Sequence, residues 1–225
     1  MLHGSPSPGV AGSELTRLLA SLADAPSPAT RPVFAERLGD WLGWTGAISL
    51  SATLNAGPGT LAPGSGHVRG GEEADFQRVR AALEASIAAG PRERVSSPTD
   101  FGPYRRHCIA RQQAVQEAAA ALRQRLRDAL SRCSPQGARL AAIDALIDQA
   151  LAAQERSLLG LVPLRLQAHF ERLQRAAAEH DAADDAREAP ERFRETMDRV
   201  LRAELAHRLL PAQGLLDTLQ TLRPT

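Results

Sequence analysis

The sequence predicts an all-α protein of about six helices, and three observations carry that prediction. Ala, Leu, Arg, Glu and Gln dominate the chain, whereas Val, Ile, Thr and Tyr, which favour strands, are scarce. Apolar residues recur at spacings of three and four, and no stretch alternates apolar with polar residues as a half-buried strand does. We therefore expect a long antiparallel helical hairpin in the C-terminal half and a smaller helical cluster in the N-terminal half.

The N-terminal half is expected to hold three helices. Residues 1–12 have the composition of a disordered tail, and residues 13–100 are predicted to form the helical cluster. Ser13 can cap a first helix that reaches Asp24, and Thr30 can cap a second helix with Pro32 in its first turn. A flexible Gly/Pro loop over 56–71 then leads to a third helix, from about Glu72 to Ala89.

Long helices are predicted over residues 101–225, which we expect to form a bundle. Asp100 is the expected cap of a helix over 101–132, and Ser134, followed by Pro135, begins another over 135–179. Gly160 and Pro163 should kink or break that second helix. The last helix is predicted to start near Pro190 and to bend at Pro211.

Both tryptophans of the chain lie in one stretch, which carries no charged residue from Trp41 to Asn55. The stretch is too rich in Gly, Ser and Thr to span a membrane. A helix that is small or apolar on every side is usually buried, so Trp41 and Trp44 are interpreted as core residues. A ligand pocket around them is the alternative.

Charge and cysteine content exclude several classes of protein. The net charge of +1 offers no overall field that would attract nucleic acid or an anionic membrane. No uninterrupted apolar run is long enough for a transmembrane helix, and the N-terminus lacks the pattern of a signal peptide. Cys108 and Cys133 lie in one predicted helix, roughly 37 Å apart along its axis, which excludes a disulfide between them. Two lone thiols fit a cytoplasmic protein.

Positive charge is concentrated between residues 101 and 139, where eight arginines face only two acids. Four residues there form a candidate interaction patch: Tyr104, Arg105, Arg106 and Arg111. An aromatic ring beside arginines is typical of a phosphate-binding surface, so this helix could bind nucleic acid. Pairing of these arginines with acidic helices, within the fold or across an oligomer, is the preferred alternative because the rest of the chain supplies matching acids.

No motif supports catalysis, a cofactor or a metal site. The glycines over 64–71 lack the strand, the spacing and the lysine of a phosphate-binding loop. The acidic stretch over 179–185 lacks the spacing of a metal site, and we interpret it as a connector. His107 adjoins Cys108, but neighbours on a helix project about 100° apart, which is poor geometry for a nucleophile and its base. An enzyme is therefore unsupported.

Four segments resemble an uncharacterised, chiefly proteobacterial family of helical proteins, known as a domain of unknown function. They are ERLGDWLGWTGAISLSATLN, DFGPYRRHCIARQQ, QERSLLGLVPLRLQAHFERLQ and RVLRAELAHRLLPAQGLLDTL. The resemblance covers residues 30–222 and carries no catalytic role. It implies a place beside genes for membrane proteins similar to stator-type and peptidoglycan-binding proteins, and hence a cytoplasmic accessory to a cell-envelope complex.

Together these observations predict a non-catalytic adaptor that binds a protein partner or associates with itself through its long helices. No membrane insertion is expected. A regulatory or nucleic-acid-binding protein that uses the basic segment 101–139 is the alternative.

Overall fold

The computed structural model describes residues 11–23, 34–55, 71–92, 97, 99–179 and 183–222. These residues form seven helices and no strand, so the all-α prediction is confirmed. The helices are α1 (Ala11–Ala23), α2 (Phe34–Asn55), α3 (Glu72–Ala88), α4 (Gly102–Cys133), α5 (Pro135–Leu159), α6 (Val162–Glu179) and α7 (Ala183–Leu222).

The chain divides into two compact units, each built from three separate stretches. The first unit comprises Met1–Ser27, Val79–Glu117 and Leu161–Leu210. The second comprises Pro28–Arg78, Ala118–Gly160 and Pro211–Thr225. The sequence-based division into a tail (1–12), a cluster (13–100) and a bundle (101–225) follows chain order instead, and it stays a prediction.

Three helix ends lie where the sequence places them, because their capping residues act locally. The N–H of Gly102 donates to Asp100 Oδ1 at 2.8 Å, and that of Gly137 donates to Ser134 Oγ at 3.0 Å. Pro135 occupies the start of α5, where no N–H is needed. Gly160 separates α5 from α6, as expected.

Other helix boundaries differ from the predicted ones. The first helix begins at Ala11, two residues before Ser13, so the end of the proposed tail is helical. The last helix begins at Ala183 instead of Pro190 and is continuous through Pro211. The start of α7 thus lies inside the acidic stretch that composition assigned to a connector. The predicted cap Thr30 and the loop residues 56–70 lie outside the described residues.

Aromatic rings form the centre of the first unit. Phe101, Tyr104, Phe170 and Phe193 bring together the start of α4 with α6 and α7, with ring centroids 5.0 to 6.4 Å apart. The edge-to-face contacts of Phe193 with Tyr104 and Phe170 are the favoured geometry for such rings. In the same unit α1 packs against α6. The contacts of Phe101 and Tyr104 with the rings of α6 and α7 hold the start of α4 against this apolar core.

The second unit contains the predicted antiparallel hairpin in a shorter form, because the helix expected over 135–179 ends at Leu159. The C-terminal half of α4 and α5 are joined by Ser134 alone and are bridged by ion pairs. The helix α2 packs against α5. At the far end of the unit, Cys133 Sγ contacts the Leu222 carbonyl oxygen at 3.7 Å, which joins α4 to the end of α7.

Candidate functional site

A cavity of about 240 Å³ opens in the first unit, where the end of α3 meets the first turns of α4. Its lining comprises Ser86, Ala89, Gly90, Arg92, Pro103, Arg106, His107, Ala110 and Arg111. None of these described residues is acidic, and four of them carry basic side chains. We call this space the basic cavity.

Local backbone geometry shapes the rim of the basic cavity. The helix α3 ends at Ala88, and Gly90 just beyond it has a φ of 67° and donates its N–H to the Ile87 carbonyl oxygen at 3.1 Å. Glycine adopts this left-handed conformation without steric cost, so it is the usual residue just beyond a helix. On the other side, the Asp100 cap fixes where α4 starts, and hence which turn presents Arg106 and His107.

Two basic side chains of α4 meet carbonyl groups at the end of α3. Arg111 Nη1 donates to the Ser86 carbonyl oxygen at 3.4 Å, and the imidazole of His107 is hydrogen-bonded to the Ile87 carbonyl. The last carbonyls of a helix lack partners within it, so cations are favoured there. His107 Nε2 and Arg111 Nε are nevertheless buried without a hydrogen-bond partner among the residues that the structure describes.

His107 is held in its neutral form. Only 8% of the residue is exposed, and burial lowers the pKa of the imidazole, as does the nearby Arg111 guanidinium. Asp198 and the bond to Ile87 act in the opposite direction and are weaker. Because Nε2 has no partner within the described part of the chain, Nδ1 is the nitrogen assigned to the Ile87 carbonyl, and Nε2 then presents a lone pair.

The candidate patch is divided by the structure. Arg106 and Arg111 line the basic cavity, whereas Arg105 is exposed and does not. Tyr104 is 3% exposed and belongs to the aromatic core, so it offers no surface ring beside the arginines. Burial raises the pKa of its hydroxyl, against a lowering by Arg194.

Further along α4, arginines pair with acids in the second unit. Arg123 and Arg127 both bind Asp144 and Asp148 of α5, with N–O distances of 2.6 to 2.7 Å. Arg125 binds Asp75 of α3 at 2.8 Å. Pairing within the fold, the preferred interpretation of the basic segment, is therefore confirmed for these three arginines.

The uncharged stretch of α2 presents apolar side chains to solvent. Trp44 is 83% exposed, Ile48 54% and Leu54 46%, so the interpretation of Trp44 as a core residue is wrong. Trp41 is half-buried. The half-buried residues beyond Gly43 lie on the opposite side of the helix: Gly46, Ser49, Leu50 and Thr53. We call the side that carries Trp44 and Ile48 the exposed α2 face; Leu54, also exposed, lies about 80° around the helix from Trp44.

Gly43 explains why residue spacing alone misassigns this helix, since a continuous helix would place Trp41, Thr45, Ile48 and Ala52 on one apolar stripe. Its φ of 60° and ψ of −179° interrupt the helical geometry inside α2. Residues on the two sides of the kink no longer share one helical phase, so a stripe extrapolated from Trp41 assigns Thr45, Ile48 and Ala52 to the wrong side. No residue pattern identifies a positive φ angle at one glycine among several.

Residues 1–221 match the model of a family described as "Protein of unknown function (DUF3348)". The chain belongs to this family. The resemblance to a family of unknown function is thereby confirmed, and the family brings no assigned reaction with it. No curated protein and no solved structure matches the chain.

The residues that could support other chemistry are poorly placed for it. Burial raises the pKa of Cys108 to about 12, with a further contribution from Glu204, so this thiol is not a nucleophile at neutral pH. Among the described residues there is no group of three His, Cys, Asp or Glu side chains that could hold a metal ion. Residues 180–182 of the acidic stretch and 64–70 of the glycine-rich stretch lie outside the described residues.

The basic cavity was missed at the sequence level. Its α4 residues were noted only as part of a charge pattern, while Ser86, Gly90 and Arg92 belong to a different segment. Gly90 follows a segment with apolar residues at helical spacing, and glycine is common just beyond the end of a helix, so the sequence did indicate where α3 ends. The meeting of that end with the second turn of α4 depends on tertiary packing, which periodicity does not report.

No described helix is long and apolar enough to cross a lipid bilayer.

Proposed function

We propose that this chain is a non-catalytic adaptor that binds an apolar segment of a protein partner on the exposed α2 face. The observation that carries the proposal is Trp44, which is 83% exposed on a stretch without a single charge. Tryptophan dominates binding energy at many interfaces because one side chain removes a large apolar area from water. A tryptophan left in solvent therefore supports a role in recognition.

The neighbours of Trp44 favour an apolar partner. Ile48 follows one helical turn later on the same side, and Leu54, about 80° around the helix from Trp44, adds a further exposed apolar side chain. Thr45 and Ser51 add small hydroxyl groups to the exposed residues. On the opposite side of the helix, Ser49 and Thr53 donate their hydroxyls to backbone carbonyls of α2. A helix with apolar residues three and four apart would cover such a face. The partner's side of the interface should also be uncharged, since no residue here could pair with a charge.

Photo-crosslinking at position 44 tests the proposal directly. A photoreactive phenylalanine analogue placed there in the native host should crosslink to one specific protein. The same analogue at position 164, where the leucine is also exposed, is the matched control and should not. In a binding assay with the purified partner, Trp44→Glu should weaken affinity by about thirtyfold or more, as hot-spot substitutions do. A crosslink to a second copy of the chain would identify self-association, and no crosslink specific to position 44 would refute the proposal.

The cell-envelope setting is part of the proposal and is supported only by the resemblance. Its test is the identity of the crosslinked partner. An envelope component would support it, and a partner unrelated to the envelope would not.

Nucleic-acid binding by the basic segment is the alternative, and ion pairing weighs against it. Arg123, Arg125 and Arg127 already bind carboxylates, so fewer cations are available for phosphates. A nucleic-acid complex made by the remaining arginines would show affinity that falls with salt, with a log–log slope of about −0.9 per phosphate contact on duplex DNA. Tight, salt-sensitive binding of duplex DNA that Arg105→Gln weakens would favour this alternative.

A further inference from the structure

Gly43 divides α2 into two helical halves that do not share one rotation about the helix axis. Residues 34–42 and 44–55 are helical, whereas Gly43 itself has a φ of 60° and a ψ of −179°. This pair of backbone angles sets how far the second half is turned relative to the first. Because α2 packs against α5, it also sets which side of the second half faces α5.

The described surroundings do not hold Gly43 in this conformation. The residue is exposed, and a Cβ atom added to it would meet nothing within 4 Å. Glycine adopts positive and negative φ angles with similar ease, so helical angles are open to Gly43 as well. In the described second half, the side-chain hydrogen bonds of Ser49, Thr53 and Asn55 end on residues of the same half. These bonds would turn with that half and do not anchor it to α5.

The sequence of α2 supports a second rotation of this half. In a continuous helix, three residues would lie on the side of the half-buried Trp41, at spacings of four, three and four: Thr45, Ile48 and Ala52. The half-buried residues observed beyond Gly43 are Gly46, Ser49, Leu50 and Thr53. At about 100° per residue, the centres of the two sets lie roughly 100° apart around the helix.

The two rotations cover similar apolar area, so their free energies should lie close together. In the observed rotation Leu50 is half-buried and Ile48 is exposed. In a continuous helix with residues 34–42 unmoved, Ile48 would turn towards α5 and Leu50 would turn to solvent. Covering either side chain removes a comparable apolar area from water, because leucine and isoleucine have the same number of carbon atoms.

We propose that Gly43 is a hinge that turns the second half of α2 between these two rotations and thereby regulates the exposed α2 face. In the observed rotation, Trp44 and Ile48 lie together in solvent, where a partner can cover both. The continuous helix breaks up this face, because Ile48 turns towards α5. A partner that contacts both residues binds the kinked form more tightly and shifts the equilibrium towards it. The partner rests on the proposed function, whereas the hinge is a property of the chain alone.

Thiol labelling in the absence of any partner tests the hinge. Ile48→Cys and Leu50→Cys are made separately in a Cys133→Ser chain, which leaves the buried Cys108 in place. With Gly43 present, the thiol at position 48 should react faster than the thiol at position 50, because only position 48 is exposed. Gly43→Ala disfavours the observed angles, which are nearly restricted to glycine. It should therefore lower the ratio of the two rates by about tenfold or more.

Gly214→Ala is the matched control, because its added Cβ also meets nothing within 4 Å and lies in a helix, and it should leave the ratio unchanged. Since Gly43→Ala could fail to fold, Leu50→Asp with the native Gly43 provides a second test. A carboxylate is costly at a half-buried position, so this half should turn, and labelling at position 48 should slow by about tenfold. Circular dichroism checks that each variant keeps its helices.

The rate ratio in Gly43→Ala decides the outcome where that variant folds, and the labelling of Leu50→Asp decides it where Gly43→Ala does not fold. An unchanged result would overturn the hinge. Fast labelling of both positions would overturn it too, because α2 would then leave α5 instead of turning.

Labelling and photo-crosslinking at position 44 answer separate questions. If the crosslink fails and the rate ratio shifts, the hinge stands without the proposed partner. If the crosslink forms and the ratio does not shift, the hinge alone is refuted.

Discussion

Trp44 faces solvent because the residue before it departs from helical geometry. A φ of 60° with a ψ of −179° lies in a region that is essentially restricted to glycine, and it costs other residues about 1–3 kcal/mol. A Cβ atom added at Gly43 would meet nothing within 4 Å, so any effect of alanine there comes from the backbone. One glycine thus determines which side of α2 is exposed.

Gly43→Ala is therefore expected to destabilise the protein by about 1–3 kcal/mol, or to straighten α2 and move Trp44. Gly214→Ala in α7 is the matched control, because its Cβ would also meet nothing within 4 Å but its φ is helical. That control should be neutral or stabilising by up to about 1 kcal/mol. Urea denaturation of both variants measures the difference, and equal effects would contradict this role of Gly43.

The two cysteines should differ in reactivity. Cys108 is fully buried and burial raises its pKa to about 12, whereas Cys133 is half-buried near the end of α4. Because the thiolate is the reactive form, a thiol reagent at neutral pH should modify Cys133 first. Under native conditions Cys133→Ser should abolish the fast phase, and Cys108→Ser should leave it intact. Rapid labelling of Cys108 in the folded chain would contradict the described core.

Protonation of His107 should cost stability in acid. Its folded pKa is lowered by burial and Arg111, against Asp198 and the Ile87 carbonyl, so the unfolded chain takes up this proton first. The contribution is complete above the unfolded pKa of about 6.5 and is lost as pH falls towards the lower folded value. The free energy of unfolding, measured by denaturation at several pH values, should therefore fall more steeply between neutral pH and pH 5 for the native chain than for His107→Gln. If the unfolding free energies of the two chains fell equally with pH, His107 would not be held neutral in the folded protein.

At the scale of single elements, the sequence predicts helix ends well where a capping residue acts on its own helix. Asp100, Ser134 and Gly160 are such cases, because their effect depends on neighbours only a few residues away. Two features were not predictable in this way: which side of α2 faces solvent, and the contact between the end of α3 and the side of α4. They depend on one backbone angle and on packing between distant segments.

The ion pairs between α4 and α5 are expected to stabilise the hairpin more than surface pairs do. Asp144 binds both Arg123 and Arg127, whose side chains are only 14% and 12% exposed. Asp144→Asn should cost about 1–3 kcal/mol, between the values for surface and fully buried pairs. The control is Glu84→Gln, which breaks the exposed pair with Arg80 and should cost less than about 0.5 kcal/mol. A double-mutant cycle with Arg127 measures the coupling, and a coupling near zero would contradict this role.

For the whole molecule, the described structure combines a helical framework, an exposed apolar face and a basic recess. The framework followed from composition and periodicity, because helix formation depends on local residue choice. The exposed α2 face and the basic cavity did not follow from composition and periodicity. They depend on which side chains are exposed and which lie close together in the folded chain. The adaptor proposal rests on the face, and it fails if Trp44 is buried.

Fluorescence quenching of Trp44 in solution tests this point most directly. In a Trp41→Phe chain, Trp44 is the only tryptophan left, and it is 83% exposed. We expect emission close to that of the unfolded chain and acrylamide quenching nearly as efficient, unchanged on dilution. A blue-shifted emission that resists acrylamide at every concentration would place Trp44 in the core and would contradict the proposed interaction surface.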